Sequence, residues 1–287
     1  MNKAFIYALL SAFILSFMSV LAKMLGQQGV NAGEITFFRG LIGTVAVVIY
    51  MYLKQIRFSN KDFGMLVMRG VYGGAGNLCN FIAVSKIKIT DAAILFQLSG
   101  IFVFIFSSLF LKEKLPKGAM PWLILIFLSV LVIINPFSYE SFSIYALAAV
   151  LGAAFAAAAY TTIRGLSMRG GHSTYEIMFY FLFSTMVVGG IYMIDDFVVP
   201  NVTQWLLLIG VGIVSVIGQF FLTGSFIATN AVVAQFLQYI GVFYSAMWGF
   251  LIFDESLSWL TVSGGIVMFI SSVMISKLKE MQAIEED

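Results

Sequence analysis

The chain is a series of long apolar runs separated by short polar segments, and this pattern restricts its fold more than any other feature. Charged residues make up only 10% of the 287 residues, whereas soluble domains carry roughly 25%. They gather between the runs rather than along one face of each run, so each run is apolar all round. Because no water-soluble fold could bury so much apolar side chain, the sequence predicts an all-α integral membrane protein.

The lengths of the runs predict ten transmembrane helices, because a helix needs about 20 apolar residues to cross a hydrocarbon layer of roughly 30 Å. The predicted spans start near Ala4, Glu34, Phe63, Asp91, Met120, Ser143, Thr174, Thr203, Ala231 and Ser258. The first run is longer than the core of a signal peptide, which has about 7 to 15 residues, and it lacks a convincing cleavage site. We therefore interpret it as the first span of the mature protein.

The placement of lysine and arginine predicts the orientation, because cytoplasmic loops hold the excess of positive charge. With the N-terminus inside, eleven of the 16 lysines and arginines fall in inner segments, and only Lys23, Lys86 and Lys88 fall in outer ones. Arg39 and Arg69 fall within spans. The sequence thus predicts a multi-pass protein of the cytoplasmic (inner) membrane with both termini in the cytoplasm.

The second half of the chain matches the first half at a shift of 142 residues. The matched pairs include Glu34 with Glu176, Gly70 with Gly212, Gly76 with Gly218, and Glu113 with Glu255. Each half would contain five spans, and an odd number of spans places the two halves in opposite orientations. We therefore predict two inverted five-helix repeats, residues 1–138 and 139–287, an arrangement typical of secondary transporters. A duplication kept for helix packing alone is the alternative.

Four motifs carry a resemblance to a known family. They are FFRGLIG in the second span, MRGVYGGAGN in the third, and FLKEKL and IFDESL at the ends of the fourth and ninth. With the repeat, they resemble the EamA-type drug/metabolite transporter (DMT) superfamily over essentially the whole chain. The resemblance implies a ten-helix permease, in a family whose members handle amino acids, nucleotide-linked compounds, organic cations and lipid-linked sugars. A proline often found in the fourth and ninth spans of such proteins is absent here, which puts the bending of these helices in question.

Polar side chains inside the predicted spans mark candidate substrate pathways, because polar groups are costly in lipid and tend to face a cavity. The candidate substrate-binding residues are Arg39, Arg69, Asn77, Asn80, Gln97, Gln219, Gln235, Gln238 and Tyr239. The repeat would bring most of them together, and a glutamine can both donate and accept hydrogen bonds. Hydrogen bonding between helices, worth roughly 0.6 kcal/mol on average in membranes, is the alternative. Gly70 and Gly74, on a neighbouring face, predict close helix packing.

Arg39 and Arg69 are the most costly of these residues to place in a membrane. Neither has a charged counterpart at the repeat shift, where Phe181 and Val211 stand instead. A guanidinium presents donors that fit a carboxylate or a phosphate, which favours an anionic or zwitterionic substrate. The alternative is structural, since each arginine lies near a span end from which its side chain could extend to water.

The sequence offers little for catalysis. It contains one histidine and one cysteine, and no G-x-S-x-G, Walker lysine or dinucleotide-binding loop. We therefore predict no enzyme activity, no cofactor and no metal site. His172 follows Arg169-Gly170-Gly171 and is predicted to be a solvated loop residue. A net charge of +2 without a basic stripe argues against a nucleic-acid partner.

These features predict a secondary transporter that moves a small polar metabolite, amino-acid-like and zwitterionic or anionic, by alternating access across the lipid bilayer. Two alternatives stay open. One is a flippase for a lipid-linked sugar, and the other is an exporter of organic cations or drugs that uses the aromatic residues Tyr239, Phe243, Tyr244 and Trp248. The identity of the substrate, the direction of transport, a coupling ion and a homodimeric assembly are also left open.

Overall fold

A computed structural model describes residues 3–59, 61–112, 117–134, 143–256 and 259–286. These residues form α1 (Lys3–Gln27), α2 (Ala32–Leu53), α3 (Phe63–Lys86), α4 (Ile89–Phe96), α5 (Ser99–Leu111), α6 (Met120–Ile134), α7 (Ile144–Arg169), α8 (Thr174–Met193), α9 (Val202–Ala228), α10 (Ala231–Leu237), α11 (Ile240–Phe253) and α12 (Trp259–Glu286). The described residues contain no β-strand, so the predicted all-α class is confirmed. Each predicted span begins within a few residues of a helix start.

Seven stretches of the described residues are long and apolar enough to cross a membrane. They are α1, α2, α4 with α5, α7, α8, α9, and α10 with α11. Shorter apolar stretches, Met120–Ser129 and Val262–Ile275, lie in α6 and α12. The glycine-rich and more polar α3 is not among the seven. The count of ten spans therefore stays a prediction, and the predicted boundary between residues 138 and 139 lies outside the described residues.

Two glutamates in equivalent first turns tie α2 and α8 together. Glu34 Oε1 accepts a hydrogen bond from the backbone N–H of Val198 (3.0 Å), just beyond α8. Glu176 Oε1 accepts one from the backbone N–H of Ser59 (2.8 Å), beyond the end of α2. The start of each helix thus lies beside the end of the other, and α2 and α8 run antiparallel. The helix dipole favours a carboxylate in the first turn. Each of these two also binds a backbone N–H beyond the end of the partner helix, a contact that local sequence could not reveal.

Helices of one half pack chiefly on helices of the other half. Besides α2 on α8, α1 packs on α9, α3 packs on α7, and α6 packs on α12. In the repeat α1 corresponds to α7 and α3 corresponds to α9, so the α1–α9 contact and the α3–α7 contact are equivalent. The principal contacts are therefore related by an exchange of the two halves, and both halves contribute surfaces to the centre of the molecule.

Small residues let α3 approach its neighbours closely. A Cβ on Gly70 would lie 2.5 Å from the carbonyl oxygen of Tyr180 on α8, and one on Gly74 would lie 3.2 Å from the Cα of Thr185. A Cβ on Gly76 would lie 3.0 Å from the backbone nitrogen of Ala156 on α7. The packing role predicted for Gly70 and Gly74 is confirmed, and α3 is held between α7 and α8.

The fourth and ninth predicted spans are interrupted even though they lack proline. Between α4 and α5, and again between α10 and α11, backbone hydrogen bonds from residue i+3 to residue i replace the α-helical pattern, which tightens the turn. The side chains of the two interruptions bind each other's backbone. The Tyr239 hydroxyl donates to the carbonyl oxygen of Gln97 (2.7 Å), and Gln97 Nε2 donates to the carbonyl oxygen of Gln238 (3.1 Å). This reciprocal contact supplies a cause for both interruptions.

Candidate functional site

A cavity of about 150 Å³ lies between the two halves, with α1, α2, α3, α4 and α7 to α11 in its wall. Eight of the nine candidate residues line it, namely Arg39, Arg69, Asn77, Asn80, Gln97, Gln219, Gln235 and Gln238. The ninth, Tyr239, is buried behind the wall, where its hydroxyl binds the backbone of Gln97. The structure thus brings the polar residues of both halves to one place.

The two arginines are buried beside this cavity, and the alternative in which each extends to water from a span end is wrong. Arg39 is 3% exposed and Arg69 is 1% exposed. Phe181 of the opposite half contacts both side chains, Phe81 of α3 also contacts Arg39, and neither guanidinium reaches the surface. No carboxylate lines the cavity within the described residues.

Phe181 provides the surface on which both guanidinium groups rest. Its ring centre lies 4.3 Å from Cζ of Arg69 and 5.3 Å from Cζ of Arg39, distances typical of cation–π contacts. Arg39 also donates from Nε to Ser215 Oγ (2.8 Å). Arg69 Nε and Nη1 have no hydrogen-bond partner in the described part of the chain. Phe181 is the counterpart of Arg39 at the repeat shift. The second half therefore has an aromatic ring at the position where the first half has a charge.

Gly73, one turn after Arg69, makes room for this arrangement. A Cβ at that position would lie 2.1 Å from Arg69 Nη1 and 2.5 Å from a ring carbon of Phe181. Any larger residue would push the guanidinium off the ring. Gly73 lies on the same face of α3 as Arg69 and Asn77, but the sequence alone could not show what it accommodates.

The glutamines form a hydrogen-bonded layer on another part of the cavity wall. Gln235 Nε2 donates to Gln97 Oε1 (3.2 Å) and to Ser99 Oγ (2.7 Å). Gln238 Nε2 donates to Ser11 Oγ on α1 (2.7 Å). These side chains therefore line the cavity and also connect helices, so the alternative of hydrogen bonding between helices describes part of what they do.

Two further candidates complete the polar wall. Asn77 is buried, and its Nδ2 has no hydrogen-bond partner among the described residues. Gln219 donates from Nε2 to Thr223 Oγ1 (3.0 Å) on its own helix. Both side chains border the cavity, where a polar ligand could reach them.

Sequence reasoning missed Tyr160, which lines the cavity from α7 and stacks on Phe226 with ring centres 4.6 Å apart. It follows a run of four alanines and lies one turn after Ala156, which also lines the cavity. The signal that could have identified it is a hydroxyl-bearing aromatic residue in an alanine-rich segment of a predicted span.

The aromatic residues of α11 lie away from the cavity. Tyr244 packs edge-on against Phe13 (5.2 Å), and Phe243 packs against Phe269 (5.2 Å). Trp248 packs against α1 and donates from Nε1 to Ser16 Oγ (3.1 Å). None of the three lines the cavity, so the structure does not assemble the aromatic cage that a cation exporter would use.

Ionic clusters lie at opposite ends of α3. The first, the Lys23 cluster, contains a buried ion pair between Lys23 and Glu255. Lys23 Nζ also donates to the carbonyl oxygen of Ile87 (2.9 Å), and Glu255 accepts from the backbone N–H of Ile89 (3.0 Å). Glu255 thus joins the end of α11 to α1 and to the start of α4. Glu113, its counterpart in the repeat, lies outside the described residues.

The second, the His172 cluster, consists of Ser59, Asp62, Arg169, His172 and Glu176. The His172 side chain is only 1% exposed, so the prediction of a solvated loop residue is wrong. Its Nε2 lies 3.1 Å from Asp62 Oδ2, and its Nδ1 lies 3.3 Å from Glu176 Oε2. Hydrogen bonds from His172 and then from Arg169 hold the pKa of Asp62 below its ordinary value. No group of side chains suited to a metal ion occurs in the described residues.

Comparison with known proteins covers the whole chain. The model of the EamA-like transporter family matches residues 2–135 and again residues 144–277. The pseudopaline exporter CntI of Pseudomonas aeruginosa is 39% identical over 274 residues, which cover 95% of each chain. The riboflavin transporter of Brucella anthropi is 24% identical and covers 79% of this chain and 81% of that protein.

Similar proteins include one from an animal and one of known structure. Solute carrier family 35 member G1 of Homo sapiens is 25% identical, over 93% of this chain and 77% of that protein. A protein of known crystal structure superposes with a TM-score of 0.73 over 96% of this chain and 99% of its own, at 14% identity. This last likeness supports the fold alone.

Proposed function

Because this chain belongs to the EamA-like transporter family, we propose that it carries a small anionic or zwitterionic metabolite across the cytoplasmic membrane through the cavity between its halves. The family match and the named relatives make the chain a multi-pass membrane transporter rather than an enzyme. We propose, in addition, the class of substrate, the mechanism, the inner-membrane location and the cytoplasmic position of both termini. Since the relative from Pseudomonas aeruginosa is named an exporter, export is the direction that we propose.

The mechanism that we propose is alternating access between two inverted five-helix repeats, which make ten spans in all. In such transporters the substrate stays near the midplane while the halves rock against each other. The antiparallel course of α2 and α8 supports the inversion, because these helices occupy equivalent positions in the two halves. The interruptions between α4 and α5 and between α10 and α11 support movement at the cavity, since tighter turns within helices often mark hinges.

The burial of Arg39 and Arg69 without a carboxylate is the observation that carries the substrate class. A buried charge that lacks a partner is strongly destabilising, whereas a carboxylate or phosphate of the substrate would supply the missing counter-charge. An organic cation would instead meet two like charges in the same cavity. The amide groups of Asn77 and Gln235, which also line the cavity, would supply further hydrogen bonds to the substrate.

A thermal-shift experiment tests this proposal. The purified protein is melted in the presence of amino acids, nucleotides, carboxylic acids, organic cations and lipid-linked sugars. A ligand at 100 times its Kd stabilises the folded state by about 2.7 kcal/mol. We expect a saturable rise in Tm with anionic or zwitterionic compounds that is lost in Arg39→Gln and Arg69→Gln.

The control is Arg57→Gln, which neutralises an exposed arginine outside the cavity and should keep the response. A rise confined to organic cations would contradict the proposal, as would a response that survives both cavity substitutions. Stabilisation by lipid-linked sugars alone would favour the flippase.

A further inference from the structure

Three residues that line the cavity carry four buried polar atoms with no hydrogen-bond partner within the described part of the protein. The atoms are Nε and Nη1 of Arg69, Nδ2 of Asn77 and Oε1 of Gln235. The three residues are 1%, 8% and 2% exposed, so their side chains are held away from bulk solvent. The first three atoms are donors and the last is an acceptor. A ligand that completes the wall must therefore accept at one place and donate at another.

The acceptor character of the Gln235 atom depends on which way its amide is turned, and the surrounding hydrogen bonds determine this. The carbonyl oxygen of Gln238 can only accept, so the Gln97 amide atom that lies 3.1 Å from it must be the NH₂ group. The other amide atom of Gln97 is then its oxygen, which requires a donor.

Gln235 supplies that donor, since its Nε2 lies 3.2 Å from Gln97 Oε1 and 2.7 Å from Ser99 Oγ. Its own Oε1 is consequently the atom without a partner. Turning the amide over would place two carbonyl oxygens against each other. The backbone carbonyl of Gln238 thus fixes the orientation of both amides, and it leaves an unpaired acceptor on Gln235, a residue that lines the cavity.

We infer that the substrate presents an N–H or O–H donor to Gln235 Oε1 while its carboxylate accepts hydrogen bonds from Arg69 and Asn77. This inference rests on the proposed function, because it takes the cavity as the substrate site. A buried polar atom left unpaired in a complex weakens binding by roughly tenfold or more. Amino acids and hydroxy acids meet both requirements, whereas a plain carboxylic acid meets only one.

Three probes with one carbon skeleton separate these requirements. Succinate has two carboxylates and no donor, L-malate adds a hydroxyl group, and L-aspartate adds an ammonium group. Their Kd values for the purified wild-type protein are measured by titrating Tm and by calorimetry. We expect L-malate or L-aspartate to bind about tenfold more tightly than succinate. A preference for malate alone identifies a hydroxyl donor, and a preference for aspartate alone identifies an ammonium donor.

Substitution of the acceptor gives the matched test. Gln235→Met keeps the length of the side chain but removes the amide. In this variant L-malate and L-aspartate should bind only about as tightly as succinate. Arg69→Gln should instead weaken all three probes and keep their order. Gln27→Met changes an exposed glutamine at the end of α1 and should alter neither affinity nor preference.

The outcomes separate this inference from the proposed function. If all three probes bind equally to the wild-type protein and Arg69→Gln weakens them, the carboxylate site stands and the donor inference is overturned. If no probe binds, or if Arg69→Gln has no effect on binding, both are overturned. A preference in the wild-type protein that persists in a folded Gln235→Met variant overturns the assignment to Gln235.

Discussion

Phe181 is the residue on which the cavity arginines depend. Its ring contacts both guanidinium groups, and it is buried at the centre of the two halves. Cation–π contacts shielded from water reach about 2 kcal/mol. We expect Phe181→Leu to lower the affinity for carboxylate probes about tenfold, because the guanidinium groups lose their platform. Calorimetric Kd values check this, with Phe183→Leu, an exposed position on the same helix, as the control. Unchanged affinity in Phe181→Leu would show that the ring only fills space.

Gly73 permits a second prediction at the scale of one residue. Its Cβ would fall 2.1 Å from Arg69 Nη1, so Gly73→Ala should displace the guanidinium and abolish carboxylate binding. Gly64→Ala on the same helix is the matched control, because a Cβ there meets no atom within 4 Å. The measurement is the rise in Tm with the carboxylate probe that binds best. Equal responses from the two variants would contradict the role assigned to Gly73.

The ion pairs of Asp62 should make the thermal stability of the protein depend on pH. Its pKa is held below the ordinary value of 3.8 by hydrogen bonds from His172 and Arg169, so the folded protein favours the ionised carboxylate. A depressed pKa contributes stability above the unfolded-state value, and this stability is lost as the pH falls through the folded-state value. We expect Tm to fall more steeply below pH 4 in the wild-type protein than in Asp62→Asn. Parallel profiles of Tm against pH would contradict the coupling.

At the scale of helices, the paired interruptions make a prediction that two substitutions can test together. Gly100→Ala would place a Cβ 2.2 Å from the Tyr239 hydroxyl, so it should destabilise the protein. Tyr239→Phe removes that hydroxyl and its bond to the carbonyl oxygen of Gln97, at a cost of roughly 1 kcal/mol. Because one atom causes both effects, the double variant should be more stable than the sum of the single changes implies. Additive changes in the free energy of unfolding would show that the two positions act separately.

The same helices show what could and could not be read from the sequence. Apolar length located the helix starts, because the lipid requirement acts on each segment alone. The interruptions were not predicted, since their stabilising partner is a side chain 142 residues away rather than a local proline. The burial of Arg69 and of His172 escaped prediction for the same reason, as covering residues from the other half decide it. Most residues of the cavity wall could be predicted, because the repeat places equivalent polar spans opposite each other.

For the whole molecule, the inverted repeat leads to a prediction about sidedness. Lys61 and Thr203 are equivalent at the repeat shift of 142 residues, and both are exposed next to helix starts. If the halves are inverted, these positions must lie on opposite faces of the membrane. With Cys79 replaced by serine, we expect a membrane-impermeant maleimide added to intact cells to label Thr203→Cys. Lys61→Cys should be labelled only after the membrane is opened.

The physical reason for this expectation is that positive charge is retained on the cytoplasmic side, and Lys61 lies in one of the basic segments. A permeant maleimide applied to the same cells is the control, because it should label both variants and so shows that each cysteine is reactive. A fluorescent protein fused to the C-terminus should also fluoresce, since that terminus is predicted to be cytoplasmic. Labelling of both cysteines from the same side would mean that the halves run parallel, and alternating access between inverted repeats would then lose its structural basis.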